Sequence, residues 1–326
     1  MMNRQVEGQS WRSRDVAMRC AFPTGRARSR LRNVIAAVLA LVTCACGDGD
    51  DHNDASPMPM LVLSAFPAEL AAVLAHARVD STVEIEGRLF RVGVLGGMPA
   101  IMGMTGIGLV NAATTTHAVL ERFAVRGVIV SGVAGSTQRI ADVTVPMKWE
   151  LKDHTTFTTN PRWLDLAGEI AAPGRVTLDR CTLVTDGPPE PVCMPQDPVI
   201  VIVGLGQSTD PFHNRPFVCQ PAGGDIYGCD LPLASTSAGP LIDQLAAHIE
   251  DTTAAETPSV MDMETAAIAS EAAARGLPFI AFRAVSDGAN DPLNLQGFFA
   301  QFAAYYRLAA HNAAAATVAF LERLGR

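Results

Sequence analysis

VMDMETAAIASEAAARGLPFIAFRAVSDGAND, residues 260–291, decides how the rest of the chain is read. It opens on an acidic pair, Asp262 and Glu264, and runs into an Ala-rich helical pattern over 264–275. Gly276 and Pro278 supply a helix stop. Residues 279–285 (FIAFRAV) form a mostly apolar stretch of strand length, broken only by Arg283, that ends in Ser286-Asp287. The whole stretch is about one βαβ unit. Glu264 stands where the helix starts and Asp287 where the strand finishes. In an open α/β sheet, ligands collect outside the carboxyl ends of strands, beside the helix starts that face them. Two carboxylates delivered to that edge make a candidate site.

The chain before this stretch keeps the same rhythm. Residues 61–65 are a short apolar strand between Pro59 and Pro67, and Pro67 opens a helix over 68–78 in the favoured first position. Glu69 lies in the first turn of that helix. On position alone it reads as a surface glutamate favoured by the helix dipole. Residues 82–86 and 89–95 form a hairpin around Gly87-Arg88. A strand over 100–104 ends in Thr105-Gly106-Ile107-Gly108, and a helix over 109–123 follows. These glycines let backbone approach a ligand or another strand. They do not make a dinucleotide fingerprint, and the sequence has no phosphate-loop motif. A strand over 127–131 leads to a second glycine-bearing turn at 132–136. A strand over 140–146 and a helix over 160–172, capped by Asn160, come next. Residues 173–232 are rich in Pro, Gly and Cys and read as an irregular insertion around one strand, 199–204. Helices over 237–250 and 298–324 complete the pattern. Alternating strands and helices predict one α/β domain, a central twisted mixed β-sheet flanked by helices, over residues 60–326.

Charge divides the chain. Eight of the 25 basic residues lie before residue 33, against two of the 33 acidic ones, which leaves 17 basic and 31 acidic residues in the remainder, a net charge of −14. An acidic body of this kind argues against a nucleic-acid partner. Residues 26–32 are basic, and 34–42 (VIAAVLALV) are apolar but too few to span a bilayer. With the small residues at 43–47 they read as an export signal over 1–46. Cys44 and Cys46 directly follow the apolar run, resemble a bacterial lipoprotein box and are the lipidation candidates. Residues 47–59 are acidic and Pro-containing, an expected flexible linker. Cys181, Cys193, Cys219 and Cys229 form an even set, expected to make two disulfides in one of three connectivities. Their spacing lacks the C-x₂-C knuckle of a zinc site.

Five motifs in order resemble the nucleoside phosphorylase superfamily. They are SAFPAEL (64–70), MTGIGLVNA (104–112), GVIVSGVAG (127–135) with IADVTVPMKW (140–149), MDMETAAIA (261–269) and FRAVSDGAND (282–291). The likeness is greatest to 5'-methylthioadenosine/S-adenosylhomocysteine nucleosidases and to secreted, plant storage-protein-like members. It covers 60–145 and 260–326 and fails in the insertion.

The resemblance implies roles. Asp287 matches the acid that protonates the purine as it leaves, and Glu264 the carboxylate that accepts hydrogen bonds from two ribose hydroxyls. A glycosidic C–N bond breaks through an oxocarbenium-like state, and an anionic purine leaves poorly unless protonated. Such an acid needs a raised pKa and therefore a mostly apolar pocket. Glu69 matches the water-activating glutamate. Arg283 matches the arginine that orients the water and carboxylates, with a structural ion pair as the other reading. Met263 is expected against the sugar or in the core. Ser286, Ile107, Val133 and Gly135 complete the implied substrate-binding set. Phosphorylases of this superfamily hold phosphate with arginines near the first and central glycine turns. Residues 64–70 and 131–136 contain none, which points to water as nucleophile.

The expected activity is hydrolysis of an adenine-type nucleoside to free base and sugar. A phosphate-dependent phosphorylase and a non-catalytic, exported nucleoside-binding protein are the alternatives. The resemblance further implies a homodimer, no cofactor or metal, a small-molecule purine nucleoside as ligand, and a membrane contact only through a lipid anchor. Asn290, where an aspartate is common, is expected to loosen the surroundings of Asp287.

Overall fold

The computed structural model describes residues 57–184, 189–229 and 257–326. The export segment, Cys44 and Cys46, most of the linker and the helix expected at 237–250 lie outside them. Among the described residues no helix is long and apolar enough to cross a membrane.

One mixed sheet organises the domain. Its strands are β1 (Met60–Ser64), β2 (Ala77–Ile85), β3 (Arg88–Leu95), β4 (Met98–Met104), β5 (Gly127–Arg139), β6 (Val143–Glu150), β7 (Thr156–Thr158), β10 (Ile200–Ser208), β11 (Val260–Asp262) and β12 (Phe279–Ala289). The order is β11-β10-β6-β12-β5-β1-β4-β3-β2, with β7 beside β6. The centre is parallel: β1 pairs with β4 and β5, and β5 with β12. The β2–β3–β4 meander is antiparallel. β11 also pairs antiparallel with the far end of β5, so the sheet curls back on itself.

The central strands are buried on both faces, which is why they read as unbroken apolar runs. The pleat divides them. Met60 and Val62 of β1 point into one core with Ile129, Phe282 and Phe320. Leu61 and Leu63 point into the other with Val128, Val130 and Ile268. Helices α1 (Pro67–Leu74), α3 (Pro161–Ile170) and α6 (Phe298–Leu324) cover the first face, and α2 (Leu109–Arg122) and α5 (Thr265–Ala274) the second. The alanines of α6 at 309, 313 and 316 are fully buried, so this long helix lies close on the sheet.

Three expectations change. The first helix stops at Leu74, not 78, because Ala77 and Arg78 pair with Leu95 and Val94 in the β2–β3 ladder. Residues 132–136 are not a turn: β5 runs straight through them, held by β12 on one side and β11 on the other. The strand expected at 199–204 within the insertion is present, but it runs over 200–208 and belongs to the main sheet, since β10 is paired on both sides. What remains of the insertion is local. The short ribbon β8 (Cys181–Thr182) and β9 (Val192–Cys193) is closed by Cys181–Cys193, and Cys219–Cys229 brackets α4 (Gly224–Tyr227).

Candidate active site

The carboxyl ends of β1, β4, β5, β10, β11 and β12 meet at one edge. Glu69 is brought there by α1, whose cap residue Phe66 makes no side-chain hydrogen bond. Glu69 reaches back past the cap residue and accepts the Ala65 N–H at 2.6 Å. Its other oxygen accepts the Val133 N–H from β5 at 2.7 Å. Glu69 is 1% exposed, so the surface reading suggested by its position is wrong. The β1–α1 turn folds its carboxylate inward, under β5.

Arg283, also 1% exposed, is the hub. One guanidinium nitrogen lies 3.5 Å from Glu69 Oε1 and donates to the Val133 carbonyl at 3.2 Å. The other lies 2.7 Å from Asp262 Oδ2 and 3.3 Å from Glu264 Oε2. Its Nε donates to Thr265 Oγ1 at 2.9 Å, and that hydroxyl in turn donates to Asp262. Ser208 at the end of β10 donates to the other Asp262 oxygen. The structural reading of Arg283 is present: it is a buried ion pair that joins the carboxylates of Glu69, Asp262 and Glu264.

Glu264 caps α5 with φ −137°, and its Oε1 accepts the Gly108 N–H from the start of α2 at 2.8 Å. Burial pushes the carboxyl groups of Glu264 and Glu69 above their usual range, and the Arg283 charge opposes this in both. Three carboxylates share one guanidinium. The excess negative charge in a dry environment is relieved by retained protons.

Asp287 sits apart from this cluster, near the end of β12. Its Oδ1 accepts the Ser286 hydroxyl at 2.7 Å. It is partly exposed, and the protein packed around it raises its pKa to about 6, with the Ser286 hydrogen bond pulling the other way. The apolar pocket expected for this acid is present. Two glycines make room for these carboxylates. A Cβ at Gly135 would stand 2.5 Å from Asp287 Oδ2, and one at Gly132 would stand 2.4 Å from Glu69 Oε1.

A cavity of about 240 Å³ joins the two ends. Glu69, Ile107, Val133, Gly135, Met263, Glu264, Ser286 and Asp287 all border it, and Arg283 lies behind the carboxylates. Met263 borders the cavity and also packs against the core, so its two readings coincide. Val133 contributes through its backbone, N–H to Glu69 and C=O to Arg283. Asn290 takes a positive φ of 64° just beyond β12. The neighbouring Asp291 binds the Leu293 and Leu295 N–H groups and the Tyr305 hydroxyl, and so organises this corner.

Sequence reasoning missed most of the cavity wall. Phe66, Phe298, Phe299 and Phe302 border it, and the three on α6 read only as one apolar helix face. Ile226 and Tyr227 come from α4 inside the insertion. That helix is held by Cys219–Cys229 and by Asp225, which lies 2.7 Å from Arg307 and accepts the Tyr306 hydroxyl at 2.7 Å. Asp262 had a visible signal in its place beside Glu264, but its partners Ser208 and Thr265 had none.

Residues 59–322 match the family model described as Phosphorylase superfamily. An uncharacterized protein of Mycobacterium tuberculosis is 35% identical over 224 residues, 60% of this chain and 87% of that protein. A 5'-methylthioadenosine/S-adenosylhomocysteine nucleosidase of Chromohalobacter salexigens is 28% identical over 271 residues, 81% of this chain and 97% of that protein. The solved structure of the nucleosidase of the same description from Neisseria meningitidis, in complex with methylthio-immucillin-A, superposes with a TM-score of 0.56 at 20% identity. It covers 81% of this chain and 99% of that one, and it shows that the fold is shared.

Proposed function

This chain belongs to the phosphorylase superfamily, and from that membership we propose that it is a purine nucleosidase that splits the N-glycosidic bond of an adenine-type nucleoside with water. One observation carries the reading. A single apolar cavity has an acid of raised pKa, Asp287, at one end and a fixed carboxylate cluster, Glu69–Arg283–Glu264, at the other. Glu264 accepts the 2'- and 3'-hydroxyls and holds the sugar over the cluster. Positive charge that develops on the ribose as the bond stretches is stabilised by the preorganised carboxylates. The Asp287 proton passes to the purine ring nitrogen as the C1'–N9 bond breaks. A water oxygen bonds to C1' and gives its proton to Glu69. The aromatic wall keeps other water out, and burial raises the Asp287 pKa so that a larger fraction holds its proton.

The nucleophile is tested by measuring free base from methylthioadenosine, adenosine and inosine with and without phosphate. Release that needs no phosphate is the expected result. Release only with phosphate would make the protein a phosphorylase, and release from none of the three would remove catalysis from the proposal.

The close approach at Gly135 gives a sharper test. Gly135→Ala places a methyl group against the Asp287 carboxylate and moves it off the base, so kcat/KM is expected to fall about 100-fold, as for a misplacement near 1 Å. Circular dichroism should show the fold retained. Undiminished activity would mean that Asp287 does not need this position.

We also propose that the protein works outside the cytoplasm. The basic and apolar leader and the two disulfides support this, since such bonds persist in oxidising compartments.

A further inference from the structure

The nucleoside cavity does not end at Asp287. A second cavity of about 320 Å³ lies beyond it, larger than the first at about 240 Å³. Gly135, Met261, Asp287 and Phe298 border both and form a collar between them. The elements around the collar cross it in the same sense. β5 passes from Val133 in the first cavity to Ser136 and Thr137 in the second, and β12 from Ser286 to Gly288. Met263 and Val260, at either end of β11, are divided in the same way, as are Phe302 of α6 and its cap residue Gly297. Glu69 and Glu264 border the first cavity alone. The second cavity therefore continues the first on the side away from the carboxylate cluster.

Its walls offer a ligand little but apolar surface. Asp287 is the one charged side chain on its border among the described residues. The Ser136 hydroxyl donates to the Ser259 carbonyl at 2.6 Å and accepts the Gln138 N–H at 3.0 Å. Gln301 accepts the Gly288 N–H at 3.0 Å and donates to Asp291 at 3.4 Å. These polar groups are paired within the protein, and Met261, Phe298 and Pro258 supply the free surface. Met261 is 47% exposed and Phe298 39%, in a domain whose large apolar side chains are mostly buried. Contiguous apolar surface of this kind marks a place where an apolar group is received.

In a purine, N7 and the 6-position share one edge, and the 6-position is the one farther from the sugar. A base with N7 at Asp287 and its ribose at Glu264 presents the 6-position to the collar. We propose that the second cavity receives an apolar group carried on the 6-amino nitrogen, so that the substrate class is adenine nucleosides with an alkyl group at that nitrogen. The inference rests on the nucleosidase reading for the placement of base and ribose. A singly alkylated amine keeps one N–H for Asp287 and directs its alkyl group past the rest of the collar. At about 30 Å³ for each non-hydrogen atom, the cavity has room for a six-carbon ring.

Adenosine and N6-cyclohexyladenosine test this. The wild-type protein should show a KM about tenfold or more lower for the cyclohexyl nucleoside at similar kcat, because the added contact is the same in the ground and transition states. Thr137 borders the second cavity alone and is exposed. Thr137→Trp fills that cavity, so it should lower the preference about tenfold and leave adenosine hydrolysis unchanged. Phe298→Ala removes a wall and should also lower the preference. A melting curve confirms that each variant folds. A wild-type kcat/KM no higher for the cyclohexyl nucleoside than for adenosine would overturn the proposal. So would a preference that both variants leave unchanged. If the wild-type protein releases base from neither nucleoside, the nucleosidase reading fails by itself. Calorimetric Kd values for the two then decide on the second cavity: tighter binding of the cyclohexyl nucleoside that is lost in Thr137→Trp supports the assignment, and binding no tighter than that of adenosine overturns it.

Discussion

Asp287→Asn is expected to lower kcat for base release by about 10³-fold if the proposed nucleosidase reading holds, the usual worth of a positioned general acid. The carboxamide fills the same space beside Ser286 and Gly135 but has no proton to give to the leaving purine. The wild-type pH profile should show the same group. With the Asp287 pKa near 6, the protonated fraction falls about tenfold per pH unit above that value, and kcat/KM falls with it. On the acid side Glu69 must ionise to accept a proton from water, and burial raises its pKa too, so the rising limb is displaced upward from that of an ordinary glutamate. The two limbs make a narrow bell. Asp287→Asn should erase the alkaline limb and leave the acid one. A variant within threefold of wild type, or one that keeps the alkaline limb, would take Asp287 out of the chemistry.

Arg283→Met should have the largest effect on stability. The side chains of Glu69, Asp262 and Glu264 converge on this one guanidinium and are all nearly buried. Breaking a buried ion pair by removing one partner costs about 3–5 kcal/mol. For a domain of this size that lowers Tm by about 10 °C. The sign of the pH dependence follows from the raised pKa values of Glu69 and Glu264, which rise further without the arginine. At pH values below the ordinary carboxylate range these groups are protonated in both folded and unfolded chains, and the deficit closes. It opens as pH rises from there through the folded pKa values, because the unfolded chain ionises freely and the folded one does not. Thermal unfolding of both proteins at several pH values measures it. A Tm loss below about 2 °C at neutral pH would mean that the cluster is neutralised by its own protons and not by Arg283.

Most of the architecture was legible along the chain, because the signals that set it are local. Pro67 and Pro161 open helices, Gly276 and Pro278 close one, and the largely apolar, strand-length runs at β1, β5 and β12 read as strands covered on both faces. The errors came where pairing overrode a local signal. Gly132 and Gly135 were expected to turn the chain, yet they lie inside a strand, because the space they leave is filled by carboxylates from Glu69 and Asp287. The first helix ends early because the β2–β3 ladder claims its last residues.

The order of motifs along the chain determined the α/β sheet and placed Glu264 and Asp287 at its carboxyl edge, since strand ends and helix starts are written in residues a few positions apart. Only the tertiary structure decided that Glu69 is buried and that Arg283, 214 positions away, lies beside it. It also decided that Cys181 joins Cys193, that Cys219 joins Cys229, and that the second bridge sets Ile226 and Tyr227 against the cavity. A charge on a first helical turn looks the same in sequence whether it faces water or an arginine. What separates the two is the desolvation that packing imposes and the partner that packing supplies, and both are properties of the folded chain.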